Sequence, residues 1–397
     1  MRLLPRFSLR HGVQMPLFDS LRKSELPRVL EFFAGGGFAI KGLEDSFHCV
    51  FANDNDPLKS RTYTANFGPT HFDTSDVWTL DANHIPNAEL AWASFPCQDI
   101  SIAGSRKGLN APRSSAFWGF WRLIEAMADE KRAPQTLALE NVAGLISSRR
   151  GRDFTTVIET LADAGYRVGA MVIDAALFSP QSRKRLFIIA HKGRIPEGLE
   201  ANHPDPTYHP QNLQKIVAQM DPTCRMAWTW WQLPHPQERS IQLEDILDRK
   251  VPENAWRSPE AAQKLIAQMS PAHRAKFDAA LKQKKWRAGA VYRRIRVEDG
   301  NKIQRAEVRY DGLAGCLRTP AGGSSKQLLM ITHNGEARLR ALNAREAARL
   351  MGLDDTYILP EKETPALQVI GDAVSVPVVN WLSENLLKKL VLRPSRS

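Results

Sequence analysis

Between residues 27 and 190 the chain alternates short apolar runs with segments whose apolar residues recur at helical spacing. The runs at 28–33, 49–52, 88–93, 136–139, 166–173 and 186–190 have the length of strands. Those at 38–45, 57–66, 116–128 and 153–164 have the length and period of helices. Such alternation predicts an α/β fold, a doubly wound, mainly parallel, Rossmann-like sheet. Asp76-Val77, following His71-Phe72, is expected to end one more short strand. In sheets of this kind ligands bind just beyond the carboxyl ends of the strands. The residues that close each apolar run are therefore the candidates for chemistry.

The first run passes straight into Ala34-Gly35-Gly36-Gly37. Glycines between a strand and a helix let a ligand approach the backbone, and the spacing F-x-G-x-G differs from the G-x-G-x-x-G dinucleotide fingerprint. The second run closes on Asn53-Asp54-Asn55-Asp56, about 20 residues later, where a carboxylate commonly holds a ribose hydroxyl. The plainer reading there is a solvated turn capping the next helix. The run at 88–93 closes on Ser94-Phe95-Pro96-Cys97-Gln98. Pro96 cannot donate to a ladder and ends the strand. A lone Cys97 is by default a small buried hydrophobe. Residues 99–115 form a 17-residue stretch without periodicity, long for a mere connection and typical of lids and binding segments. Phe117, Phe120, Trp121 and Ile124 then read as core. The run at 136–139 closes on Glu140-Asn141-Val142, where a carboxylate is costly unless paired or used. Gln181-Ser182-Arg183-Lys184-Arg185 precedes the last run and reads, taken alone, as a solvated edge.

From residue 191 to 340 the pattern breaks. This stretch is rich in Pro and Trp, irregular, and carries 25 Lys and Arg against 16 Asp and Glu. Most of the net charge of +11, with a pI of about 9.6, sits here and suggests a polyanionic partner. The clusters around Lys284-Lys285-Trp286-Arg287 and Tyr292-Arg293-Arg294 mix cations with aromatics as DNA-contacting surfaces do. A solvated basic face is the competing reading. Residues 315–325, with Arg318-Thr319 and a glycine pair, fit a base-reading loop, and Trp228-Thr229-Trp230-Trp231 fits a small core. An amphipathic helix at 343–351 and a last helix at 376–392 close the chain. The expected organisation is an extension at 1–26, a catalytic and cofactor-binding domain at 27–200, a smaller irregular recognition domain at 201–340, and a return to the first domain at 341–397. Four scattered cysteines without a C-x-x-C pair indicate neither a zinc site nor a disulfide framework and fit a reducing cytoplasm. No apolar run approaches the roughly 20 residues that span a bilayer. Residues 1–23, basic and without an apolar h-region, do not read as a signal peptide.

Taken in order, Phe33-Ala34-Gly35-Gly36-Gly37, Asn53-Asp54, Asp76-Val77, Phe95-Pro96-Cys97-Gln98, Phe117-Trp118, Glu140-Asn141-Val142 and Gln181-x-Arg183-x-Arg185 resemble the DNA cytosine-5 methyltransferase family, of the bacterial restriction-modification type. Leu342-Asn343-Ala344-Arg345-Glu346, Arg349-Leu350-Met351-Gly352 and Gly371-Asp372-Ala373-Val374 extend the resemblance. It covers about residues 27–190 and 342–392. There are two departures: Ser94 stands where the family often has Gly, and Asp372 where Asn is usual.

The resemblance implies methyl transfer from S-adenosylmethionine to C5 of a cytosine flipped out of double-stranded DNA. Cys97, as thiolate, would add to C6, because C5 is too weak a nucleophile unaided. Glu140 would hold N3 and the 4-amino group, Arg185 the O2 atom, and Arg183 a nearby phosphate or carboxylate. The backbone of Ala34, Gly35 and Gly37 would carry the cofactor, with Phe33 and Trp118 packed on its adenine. Asp54, beside Asn55, would bond its ribose, and Asp76 with Val77 its adenine edge. Pro96, Asp372, Ala373 and Val374 would complete that site. Gln98, Ser101 and Arg106 would meet the DNA from a mobile loop. Lys284, Lys285, Arg287, Arg293 and Arg294 would hold phosphates, and Arg318 with Thr319 would read bases. No metal is needed. A monomer is expected, in the cytoplasm, with any cognate restriction endonuclease acting separately. A tRNA-methylating branch of the same family carries a Cys-Phe-Thr signature that is absent here. A non-catalytic DNA-binding regulator on the same fold would have no use for both Cys97 and Glu140.

Overall fold

A computed structural model of the chain describes residues 25–96, 116–298, 300–319 and 326–392. Seven strands form the main sheet: β1 (Arg28–Phe32), β2 (His48–Asn53), β3 (Phe72–Asp73), β4 (Leu90–Ala93), β5 (Thr136–Val142), β6 (Arg167–Asp174) and β7 (Lys184–His191). Their spatial order is β3-β2-β1-β4-β5-β7-β6. All neighbours are parallel except β7, which runs antiparallel to both β5 and β6. The expected doubly wound sheet is thus present. The third strand ends at Asp73, so Asp76 and Val77 lie beyond it.

Local chemistry places the flanking helices. Asp56 caps helix Pro57–Phe67 by accepting from the Leu58 and Lys59 N–H groups at 2.8 and 3.2 Å, and Pro57 occupies the first turn. Helix Ala116–Asp129 buries Phe117, Phe120, Trp121 and Ile124 on one face of the sheet. Full burial of side chains this size stabilises by roughly 1.5–3 kcal/mol each. On the other face, helix Phe38–Leu43 packs closely on helix Val376–Leu382. A Cβ on Gly42 would come within 2.6 Å of Val379, and Ser46 donates to Glu384 beside this contact. The last helix is not continuous: a π-turn at Ser383–Leu387 separates Val376–Leu382 from Lys388–Val391. Glu363–Val391 is long and apolar enough to cross a membrane by length and composition. Its first helix, however, ends at Asp372, and 67% of its apolar window is buried inside the fold.

The middle of the chain is more regular than its composition suggests. After the short pair β8 (Glu200–Ala201) and β9 (Trp230–Trp231), four strands form an antiparallel sheet: β10 (Arg287–Glu298), β11 (Asn301–Arg309), β12 (Leu328–His333) and β13 (Glu336–Ala341), in the order β11-β10-β12-β13. Helices Pro259–Ala267 and Pro271–Lys282 cover it through Leu265 and Phe277, with Met269 from the link between them. β12 pairs with β10 only over Arg287–Val291, so the distal half of β10 and β11 projects as a two-stranded ribbon. The tryptophan cluster, expected to form a small core, is divided instead: Trp231 joins the core on one side of the main sheet and Trp228 the core on the other. Arg340 on β13 and Glu346 on helix Ala344–Leu350 form a buried ion pair, Nη1–Oε2 2.7 Å, that joins this sheet to the closing segment. Glu346 also completes a capping box with Asn343.

Candidate active site and nucleic-acid cleft

The carboxyl ends of β1, β2, β4 and β5 open onto a cavity of about 540 Å³. Phe33, Ala34, Gly35, Asp54, Asn55, Pro96, Glu140, Arg185, Asp372, Ala373 and Val374 all line it. Segments more than 300 residues apart in sequence thus converge on one cavity. Cys97, Gln98, Ser101 and Arg106 lie outside the described residues.

The turn after β1 is shaped for a ligand. Phe33 has φ +57°, a left-handed conformation that costs a residue with a Cβ about 1–2 kcal/mol and so needs support from its surroundings. Gly35, at φ +59°, has nothing within 4 Å of where a Cβ would stand, so its backbone faces open space. Its N–H donates to Asp54 Oδ2 at 2.8 Å, and Asp56 N–H donates to Oδ1 at 2.9 Å. Burial pushes the Asp54 carboxyl above its ordinary range despite these bonds and the nearby Lys59. Asp372, the departure from the family pattern, is neutralised by Lys59, Nζ–Oδ2 3.0 Å. Burial opposes the charge on Lys59, but Asp372 and Asp54 outweigh it and hold the ammonium above its usual value.

Glu31 was missed by sequence reasoning. It projects from β1 into the same cavity, is 1% exposed, and uses only Oε1, which accepts the Ile40 N–H at 3.2 Å. Among the described residues Oε2 has no partner. Burial drives this carboxyl up to about 8. The signal was present in the sequence: one acid inside the otherwise apolar run Val29-Leu30-Glu31-Phe32-Phe33.

At the other end of the cavity Glu140 pairs with Arg185, Oε1–Nε 3.2 Å, both mostly buried. Burial raises the Glu140 carboxyl, and Arg185, Arg183 and the Ser94 hydroxyl pull it back. Asn141 donates to the Phe95 carbonyl at 3.0 Å and so pins the segment that leads to Pro96.

Several expected contacts are arranged otherwise. Arg183 does not reach for a phosphate or a free carboxylate. Its guanidinium is 1% exposed and donates to the carbonyls of Leu317 (2.8 Å), Gly371 (3.0 Å) and Ala373. It clamps the closing motif to β7, and burial brings it down to about 10. Gly37 does not line the cavity: it caps helix Phe38–Leu43, and a Cβ there would collide with the Phe67 and Tyr63 rings. Trp118 is 9% exposed, within the core against Phe117, and does not line the cavity. Asp76 and Val77 also stay outside it. Asp76 accepts from Asn55 at 3.3 Å at its rim, and Val77 is core.

A second, larger cleft of about 720 Å³ lies on the antiparallel sheet, lined by His273, Lys276, Arg293, Arg294, Arg318 and Lys326 among others. The walls of the two touch where Arg185 Nη1, from the first, lies 4.0 Å from Cys316 Sγ, from the second. Arg294 and Arg296 turn to Glu307 on one face of the ribbon. Arg293 and Arg318 have no ion-pair partner among the described residues and face the cleft. Ile295 and Val297, 68% and 70% exposed, follow Arg293 on its face. The residues expected to hold phosphates are therefore not one surface. Lys284 and Lys285 lie beside the β12–β13 turn, where Asn334 N–H bonds Lys284 O, at the opposite end of the sheet from Arg318. Arg287 is occupied by Glu244, Gln283 and the Tyr310 carbonyl. Thr319 is half-buried, its backbone against Gly371.

Comparison with known proteins follows this geometry. Solved structures share the fold at low identity: the S. pombe Dnmt2 methyltransferase (TM-score 0.56, 19% identical, 90% of this chain and 96% of that one) and the Entamoeba histolytica methyltransferase EhMeth (TM-score 0.58, 16%, 92% and 98%). In sequence the chain is similar to the Type II methyltransferase M.MspI of Moraxella sp, 28% identical over 366 residues, 90% of this chain and 70% of that protein. It is similar also to M.HpaII of Haemophilus parainfluenzae, 25% identical over 381 residues, 91% and 89%. The profile described as C-5 cytosine-specific DNA methylase matches residues 27–388, nearly the whole described fold, and the chain belongs to that family.

Proposed function

We propose that the chain transfers a methyl group from S-adenosylmethionine to C5 of a cytosine flipped out of a specific duplex DNA sequence, as a modification enzyme of the restriction-modification kind. One observation carries this reading. The desolvated Glu140–Arg185 pair and the open Gly35 turn share one cavity, and that cavity adjoins a basic cleft through Arg185 and Cys316.

The cavity fits the cofactor's chemistry. S-adenosylmethionine is a cation at its sulfonium and ammonium and a diol at its ribose. It supplies an electrophilic methyl group. Glu31, with an unpartnered buried oxygen, suits the cationic end, and Asp54, anchored by two N–H donors, suits the hydroxyls. The exposed backbone of Gly35 and the ring of Phe33 line the space between. The Asp372–Lys59 pair supplies no net charge there.

On the base, Cys97 as thiolate forms the bond to C6. The charge that builds on the ring is met by Glu140, whose burial favours the protonated form, donating at N3, while Arg185 binds O2. Because Glu140 is desolvated, its proton is retained to higher pH than on an exposed carboxyl. After transfer a proton leaves C5 and Cys97 departs. Base flipping costs a few kcal/mol, which the cleft offsets through phosphate contacts.

The test is Cys97→Ser in a tritiated-methyl assay, with S-adenosylmethionine binding measured in parallel. Turnover should vanish while cofactor affinity stays within a few-fold. DNA containing 5-fluorocytosine should trap an adduct on Cys97 of the native chain. Substantial turnover by the mutant, or an adduct on Cys49 or Cys316, would rule the mechanism out.

A further inference from the structure

We propose that Ser94 is a positioning residue for methyl transfer, tying the buried indole of Trp92 to the Glu140 carboxyl and thereby fixing the orientation of that acid. The proposal rests on the reading of Glu140 as the proton donor to the base.

Sheet register carries the argument. β4 and β5 pair in parallel, Trp92 with Ala138 and Ala93 with Leu139. One step further sets Ser94 beside Glu140, on the same face as Trp92. Trp92 is fully buried, and its Nε1–H donates to Ser94 Oγ at 2.9 Å. An indole N–H can only donate. With that donor on its oxygen, the serine hydroxyl is left to direct its own hydrogen elsewhere, and the Glu140 carboxyl, next to it in register and lining the same cavity, is the acceptor it favours in ionised form. The Ser94 backbone is itself held, its N–H on the Phe32 carbonyl at 3.3 Å. The result is a short relay with every joint fixed: indole, hydroxyl, carboxyl. Glycine, the residue the family often has here, would leave Trp92 Nε1 without this partner in the core and Glu140 without this donor.

The charged groups facing Glu140 are few. Arg185 and Arg183 come from the β7 end, and Cys316 lies against both guanidinium groups. Ser94 is the neutral partner from β4. A donor to a carboxylate favours its ionised form, so removing the hydroxyl should raise the pH at which Glu140 loses its proton.

The experiment is the pH–rate profile of the full chain on plasmid DNA, with tritiated S-adenosylmethionine and melting curves alongside. Ser94→Gly and Ser94→Ala should move the high-pH limb up by about one unit, the scale of one hydrogen bond to a charged group. They should also lower the plateau rate several-fold, since the acid is no longer held in one orientation. Trp92→Phe, which keeps the ring and removes the N–H, should shift the limb the same way by less. Ser94→Thr should restore both. If Ser94→Gly fails to fold, Trp92→Phe carries the test. Glu140→Gln separates this proposal from the one beneath it. A limb that persists in Glu140→Gln refutes Glu140 as the titrating acid. A limb lost in Glu140→Gln but unmoved in both Ser94→Gly and Trp92→Phe refutes the role of Ser94 alone.

Discussion

The main-sheet cavity and the basic cleft hold charge in opposite ways. In the cavity Glu31, Asp54 and Glu140 are buried, and each is fixed by one or more hydrogen bonds or an ion pair. In the cleft Arg293 and Arg318 are exposed and without an ion-pair partner among the described residues, while Arg294 and Arg296 are tied to Glu307. Desolvated groups interact strongly and are little screened, whereas exposed ones act through many weak, salt-dependent contacts. The first arrangement suits a reaction at one atom, the second the embrace of a long polyanion.

The contrast predicts a ranking. Glu140→Gln should have the largest effect, a rate loss of roughly 10²–10⁴ that salt does not relieve. Rates within threefold of wild type would make Glu140 a structural residue. Asp54→Asn comes next. It should weaken S-adenosylmethionine binding by about tenfold, the scale of one charge-assisted hydrogen bond, measured by calorimetry without DNA. Unchanged affinity would remove the ribose assignment.

Glu31 links the cavity to stability. Its carboxyl titrates near 8 in the fold and near 4.5 when unfolded, so between these values the native state binds the extra proton. Stability should therefore fall as pH rises from about 4.5 to 8, by up to 1.4 kcal/mol per unit from this group. Glu31→Gln should flatten that slope in ligand-free melts. An identical slope in mutant and wild type would show that Glu31 ionises freely.

In the cleft, Arg318→Ala should cost about 1–3 kcal/mol of discrimination between sequences, read by sequencing methylated libraries. An unchanged site preference would move base reading elsewhere on the ribbon. The smallest effect belongs to Lys284→Ala with Lys285→Ala. Lying at the far end of the sheet, these lysines should leave the salt slope of DNA binding nearly unchanged, against a loss of about 0.9 per true phosphate contact. A fall of 1.5 or more would bring that end of the sheet into the DNA interface.

How far the sequence could be read follows the same division. Asp54 and Glu140 were legible because an acid closing an apolar run is costly to bury unless it is paired or used. Six of the seven main strands were legible because strands buried on both faces leave continuous apolar runs, whereas β3, two half-buried residues, leaves none. Glu31 was passed over because it interrupts such a run instead of ending it. The antiparallel sheet was invisible: the distal half of β10, Arg293 to Val297, is exposed on both faces, so no two-residue period survives. The face a helical aromatic presents is also hard to read, which is why Trp118 was expected at the cofactor and lies in the core. The partners of Arg183, the carbonyls of Leu317, Gly371 and Ala373, were not legible because a motif gives a residue type and place, while its contacts are set by tertiary closure.

The packing of helix Phe38–Leu43 against Val376–Leu382 has a consequence for how the protein is made. The contact closes a loop of some 330 residues, which by chain entropy alone costs about 5 kcal/mol. At 5–20 residues per second, synthesis leaves the apolar face of the first helix uncovered for ~20–70 s before its partner emerges. The Rossmann-like half, though complete in strands by residue 191, must wait for residues 376–382 to be made before it can bury one of its faces. Shortening the chain by its last two helical segments should therefore yield a product that expresses but aggregates, with its first glycine turn intact in sequence and unsupported in space.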